Sequence, residues 1–170
     1  HKITSCRSCS SSDLDSVLEL GNQKLTGVFP KSIDQDITCG PLSLAWCKSC
    51  NLLQLFHSYD PDEMYGENYG YRSGLNSIMV NHLSSKTHLL SKQFGIQSGD
   101  SVLDIGSNDG TLLKSYKIDG LRRVGIDPTG SKFSHFYPSD IELFEDFFSS
   151  SLLKGFKFKD CVNEKFKSSL

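Results

Sequence analysis

Apolar residues are spaced in three different ways along this chain, and each spacing predicts a different local structure. Leu75, Met79, Leu83, Leu90 and Phe94 recur every three to four residues or a multiple, which lays them on one face of a helix over about 75–94. Gly95 follows where a left-handed helix stop is wanted. After it, short apolar runs predict strands over Ser101–Ile105, Arg123–Asp127 and Ile141–Phe144, with a fourth over 158–162. Between the first two lie a turn at 106–110 and the start of a helix over 111–116. Strands alternating with segments long enough for crossover helices give a parallel sheet. Before all of this, the first 60 or so residues show no sustained helical period and read as a compact, loop-rich unit.

The predicted organisation is therefore a small domain over 1–60, a tyrosine- and glycine-rich connector over 61–74, and an α/β domain over 75–170. Composition changes little: 37% apolar and 22% charged residues fit a globular protein. The net charge of −2 argues against a nucleic-acid module, which needs a dense cationic field. No apolar run reaches the roughly 18 residues of a membrane span, and residues 1–20 lack the pattern of a secretion signal, so a cytoplasmic location with no membrane partner is expected. The chain opens on His1 and closes on a weakly patterned stretch, and both ends are read as cut from a longer protein.

Five of the six cysteines lie in the first 60 residues. Cys6-Arg-Ser-Cys9 and Cys47-Lys-Ser-Cys50 form two CxxC pairs, and together they offer four thiolates for a closed, structural Zn2+ site. The 37 residues between the pairs exceed the usual spacing of about 15 to 20. A longer insertion costs little loop-closure entropy. Four buried or redox-active thiols are the competing reading. Cys39 could replace one ligand, and Cys161 reads as a small apolar filler.

The stretch Val102–Thr111 carries the second chemical signal. A buried strand runs into a turn where Gly106 and Gly110 allow close backbone approach, and a helix begins at once, so Ser107 and Asn108 sit in a ligand-binding loop. The pattern Asp104-x-Gly106-x-x-x-Gly110 departs from the dinucleotide fingerprint. An acid on the first strand suits a cofactor bearing a positive amino group, such as S-adenosyl-L-methionine. Asp127, followed by Pro128, stands 23 residues beyond Asp104, close to the roughly 20-residue interval at which an acid meets ribose hydroxyls. Asp146 and Phe147 could bracket the adenine, although a core phenylalanine pair with Phe148 accounts for them equally well.

These residues resemble the sugar-nucleotide C-methyltransferases, in which an N-terminal zinc-binding domain precedes a Rossmann-like S-adenosylmethionine methyltransferase domain. The resemblance rests on the two cysteine pairs, Pro41-Leu-Ser-Leu44, Asn51-Leu-Leu-Gln-Leu55, Tyr69-Gly-Tyr-Arg-Ser-Gly74, Asp104-Ile-Gly-Ser-Asn-Asp-Gly-Thr-Leu-Leu113 and Gly125-Ile-Asp-Pro128. It implies methyl transfer from S-adenosyl-L-methionine to a carbon beside the keto group of a nucleotide-linked deoxysugar. In that chemistry a base removes the α-proton and donors stabilise the enolate. It places Tyr71, as a catalytic candidate, and Tyr69 near the sugar, with a wedge between domains as the alternative. Arg72 is a candidate for the substrate phosphate or for a carboxylate, and His82 for substrate or a capping role. The family's general base lies beyond the fourth strand, so this stretch alone is expected to have little activity.

Two other readings remain: a zinc-containing methyltransferase acting on RNA or protein, using Lys31, Lys48, Lys86 and Lys92, and a non-enzymatic metal-stapled interaction module. The sequence leaves the oligomeric state open.

Overall fold

The computed structural model describes residues 1–25, 28–66 and 69–154. The strand expected over 158–162, with Cys161, lies outside the described residues. The chain divides into two compact units, His1–Gly70 and Tyr71–Leu170.

In the first unit, β1 (Leu14–Lys24) pairs antiparallel with β2 (Cys39–Cys47), which pairs antiparallel with β3 (Leu53–Leu55). Register shifts between Ser16 and Leu18 and between Glu19 and Asn22 bulge the long ribbon. The sequence predicts a compact, loop-rich unit here, without these strands. Ten of the 11 residues of β1 are exposed, so the strand carries no alternation of buried and exposed positions from which it could be recognised. Among the described residues, the buried apolar positions of this unit are Cys6, Ala45, Cys47 and Phe56, and two of these four are cysteines of the CxxC pairs.

The segment 61–74 is not one connector. Pro61–Tyr65 forms a short helix, α1, because Asp60 accepts from the Asp62 N–H and Pro61 supplies a preset first-turn backbone. Ser73–Leu75 forms a 3₁₀ turn in the second unit.

The second unit holds a parallel sheet of order β4-β5-β6, formed by Ser101–Ile105, Arg122–Ile126 and Ile141–Phe144. The crossovers carry α3 (Thr111–Ser115) and α4 (Gly130–Phe133), the latter followed by a 3₁₀ turn over Ser134–Phe136. Leu113, Tyr116, Leu121, Val124, Ile126, Phe133 and Ile141 fill the core. A further helix, α5, spans Ser150–Lys154.

Before the sheet comes α2 (Ser77–Phe94). It starts two residues later than the apolar period predicts, because the Asn76 side chain caps it by accepting from the Ile78 N–H. Gly95 ends it at φ 62°, in the left-handed conformation expected. The middle of the predicted apolar face holds, with Met79, Leu83 and Leu90 half-buried, while its ends do not: Leu75, outside the helix, is 68% exposed and Phe94 is 61% exposed. The buried residue of α2 is Thr87, whose hydroxyl donates to the carbonyls of Ser84 (2.9 Å) and Ser115 (3.3 Å), the latter at the end of α3. A polar contact therefore ties α2 to α3. Among the described residues no helix is long and apolar enough to cross a membrane.

Replacing Thr87 with Val preserves shape and leaves the Ser115 carbonyl without this donor. The expected cost is about 1 kcal/mol of stability, read as a lower midpoint in urea unfolding.

Candidate functional sites

The two CxxC segments fold alike. Ser10 donates its N–H to the Cys6 carbonyl (3.0 Å) and Asn51 donates to the Cys47 carbonyl (2.8 Å). The residue after each second cysteine turns back through a positive φ, 61° at Ser10 and 62° at Asn51. Each knuckle thus presents two sulfurs to the same point. The four Sγ atoms lie within 4.8 Å of one another, and the pairs Cys6–Cys50 and Cys9–Cys47, which cross between the knuckles, are 3.6 Å apart.

Four sulfurs about 2.3 Å from a zinc ion define a tetrahedron with edges of roughly 3.8 Å, which these separations approach. A disulfide would bring two sulfurs to about 2.05 Å, and these cysteines are free. Their thiols compete for protons. The backbone N–H of Cys9 pulls Cys6 down to about 6 against burial, with help from Ser8, Gln54 and Cys50. Cys50 is pulled down by the Leu52 N–H, but the Cys9, Cys6 and Cys47 thiols together with burial push it up to about 12. Behind the first knuckle, Gln54 accepts from the Arg7 N–H (3.1 Å) and guanidinium (3.2 Å) and so fixes the approach of Cys6. Cys39 opens β2 and is not part of the cluster.

In the second unit the parallel strands end in line. Gly106 and Ser107 donate their N–H groups to the Ile126 carbonyl, and Asp127 donates its N–H to the Phe144 carbonyl. Gly106, Asp127 and the Asp146–Phe147 stretch therefore share the carboxyl edge of the sheet, where open α/β sheets take ligands. Gly106 has φ 75°, and no atom stands within 4 Å of the position a Cβ would take. Its backbone face is open.

Two buried carboxylates hold the bend in shape. Asp127 accepts from the Asn108 N–H (2.7 Å) through Oδ2, and from the Thr129 N–H (2.7 Å) and hydroxyl through Oδ1. Asp109, fully buried, accepts through Oδ1 from the Thr111 N–H (3.1 Å) and hydroxyl. Its Oδ2 accepts from the Gly74 N–H (2.9 Å) and Arg72 Nη1 (3.3 Å). Asn108, at φ 52°, accepts from the Ser73 N–H through Oδ1 and donates through Nδ2 to the Tyr71 carbonyl.

Asp104 contrasts with both. It is half-buried on β4, and among the described residues no hydrogen-bond donor reaches it. Burial, and then repulsion from Asp127, push its carboxyl up to about 6, while Lys86 pulls it back. The site therefore presents negative charge that no neighbouring donor satisfies.

Several predicted residues are placed differently from expectation. Gly110, at φ 70°, makes room for the protein itself: a Cβ there would meet the Tyr137 ring at 2.9 Å. The Ser107 hydroxyl lies 2.8 Å from the Tyr137 hydroxyl, which donates to the Asn108 carbonyl, and the Asn108 side chain is held by Ser73 and Tyr71. Arg72 is paired with Asp109 and lies 3.9 Å over the Phe136 ring; of its two readings, the structure shows the carboxylate partner. Tyr71 and His82 are exposed, and Pro128 is half-buried beside Asp127. Tyr69 belongs to the first unit, its ring 5.7 Å from Tyr65. Asp146 and Phe147 are exposed, with the Phe147 N–H donating to Asp146 Oδ1 (2.7 Å).

Asp109 and Tyr137 were not anticipated. An acid two residues before a helix-opening threonine was the available sign for Asp109. Tyr137 reaches the bend from 27 residues beyond Gly110, and no local pattern marks it.

Comparison with known proteins bears on both sites. The family model for a zinc-binding domain matches residues 6–65, a span that takes in both cysteine pairs. The C-methyltransferase NovU of Streptomyces niveus is 31% identical over 128 residues, which is 74% of this chain and 30% of that protein. The chain thus spans less than a third of the length of this relative. Sulfur geometry and family match together support zinc binding.

Chelating the metal is expected to release about one equivalent of zinc and to abolish the β-sheet signal of the first unit, since structural zinc supplies on the order of 10 kcal/mol to domains with so small a core. A second expectation concerns Asp104. Its folded pKa lies above its ordinary value, so the ionised form is penalised in full above about pH 6, and the penalty fades as pH falls towards the ordinary value of 3.8. Asp104→Asn is therefore expected to be more stable than wild type by roughly 2 kcal/mol at neutral pH. The difference should vanish near pH 4, checked by urea unfolding at both pH values.

Proposed function

We propose that the chain is a deoxysugar C-methyltransferase with an N-terminal zinc-binding domain and that its second unit holds S-adenosyl-L-methionine at the bend after β4. The full protein would then methylate a carbon of a nucleotide-linked keto-deoxysugar. The observation that carries the cofactor assignment is the Asp104 carboxylate, half-buried and without a donor, beside the open backbone of Gly106. A ligand bearing an ammonium group and a sulfonium meets that unsatisfied negative charge, whereas a pyrophosphate would be repelled by it.

Bound there, S-adenosyl-L-methionine supplies an electrophilic methyl group. The chain's own residues bind and orient. Asp104 takes the ammonium, and Gly106 lets the ligand lie against the main chain. Asp127, already accepting from Asn108 and Thr129, keeps lone-pair capacity on Oδ2 for one ribose hydroxyl. Pro128, Asp146 and Phe147 complete the edge on the adenine side. Ser107, Asn108 and Gly110 act by fixing the shape of the bend. The exposed Tyr71 is the residue of this unit we assign to the sugar, with His82 as a further contact. The zinc module keeps a structural role, because four thiolates leave no open coordination position. A cytoplasmic setting follows from the nucleotide-linked substrate.

The test is calorimetric titration with S-adenosyl-L-homocysteine. Wild type should bind, and Asp104→Asn should weaken binding at least about tenfold, or roughly 1.4 kcal/mol, while the variant becomes more stable and keeps its zinc. Undiminished binding in the variant would refute the assignment of Asp104.

A further inference from the structure

We propose that Gln54 is a positioning residue of the metal centre, its side-chain amide donating through Nε2 to the Cys6 thiolate when zinc is bound. The inference rests on the zinc assignment and not on the methyl-transfer reading.

Gln54 is the middle residue of β3, and its side chain is pinned from one end. Oε1 accepts from the Arg7 backbone N–H (3.1 Å) and from Arg7 Nη1 (3.2 Å). The same guanidinium donates to the Leu55 carbonyl (2.5 Å) and the Ser58 hydroxyl (2.8 Å), so Arg7 is itself held. Two donors meeting one atom of the amide identify that atom as the oxygen, and the other end is then the NH2 group. This group lies inside the unit: Gln54 is 8% exposed, and among the described residues no acceptor meets Nε2. An amide donor taken from water and given no acceptor is costly, so a buried one of this kind calls for a partner. Tethering Arg7 would need the oxygen alone, and a glutamate would do it with a stronger, charge-assisted bond. What glutamine adds is the donor at the far end.

Cys6 has the matching need. It precedes Arg7, is 2% exposed, and has Gln54 among the groups that favour its thiolate, which an N–H supports and a carbonyl oxygen would oppose. Four thiolates around one Zn2+ leave negative charge in excess. Cys9 and Cys50 are exposed and can share that charge with water, whereas Cys6 and Cys47 are buried and depend on internal donors. The Ser8 N–H, 3.4 Å from the Cys6 sulfur, is one such donor, and a zinc-bound thiolate keeps lone pairs for another. Because Arg7 holds one end of Gln54 and adjoins Cys6, the amide is oriented before the metal arrives, as outer-shell partners of metal ligands are.

The chain loaded with cadmium-113 in place of zinc gives a direct readout by NMR. A Gln54 side-chain amide proton should show scalar coupling to the metal, carried through the Cys6 sulfur; a glutamine that only tethers Arg7 would show none. Two variants extend the test by competition with a chromophoric chelator. Gln54→Glu keeps an acceptor for Arg7 and loses the donor, and Gln54→Met loses the donor without adding charge. Each should bind zinc about ten- to a hundredfold more weakly at unchanged stoichiometry. Absence of the coupling, or wild-type zinc affinity in Gln54→Met, would overturn the inference and leave the zinc assignment standing. A wild-type chain that takes up no metal would overturn both, and if neither variant folds the coupling in the wild-type chain decides.

Discussion

A carboxylate removed from water must be surrounded by N–H and O–H donors, and the second unit is organised by two groups that meet this demand. Asp127 reaches the five-residue bend from the end of β5, and Asp109 belongs to the bend itself. The first draws in the Asn108 amide and Thr129, the second the opening of α3 together with Gly74 and Arg72. Moving the bend would strip donors from at least one buried charge. That is why residues with positive φ, Gly106, Asn108 and Gly110, persist in so short a stretch. Asp104 stands just outside this arrangement, and the contrast gives it chemical meaning. Within a neighbourhood where two acids are satisfied, the third has no donor among the described residues.

The first unit solves a different problem. A three-stranded antiparallel sheet with four buried apolar residues among those described removes too little surface from water to hold itself together. Two of those four residues are themselves sulfur ligands, so metal and core occupy the same place. The matching knuckles, each closed by a bond back to its first cysteine, show that the backbone is shaped for the ion.

How much of this could be read from residues alone depended on whether the signal was local. The strand, bend and helix over 101–115 were legible because apolar run, glycines and helix start lie within one short window. The four sulfur ligands were legible because two i, i+3 pairs have few other uses. The strands of the first unit were not, since an exposed ribbon such as β1 shows no alternation. The inward side of α2 was legible through Met79, Leu83 and Leu90, which are half-buried, but its most buried residue, the polar Thr87, was not, and Leu75 and Phe94 at the ends remain exposed. Tyr137 could not have been found, because its role against Gly110 and Ser107 exists only once the chain has crossed from β5 to β6.

Gly74 has no room for a larger residue: a Cβ would lie 2.6 Å from Asp109 Oδ2 and 2.9 Å from the Thr111 hydroxyl. The lead-in to α2 and the first turn of α3 are thereby geared to a single carboxylate. Any displacement of that oxygen, from whichever side it comes, has to move two helices at once, so the second unit responds to a push at its bend as a stiff linkage and not as a set of independent loops.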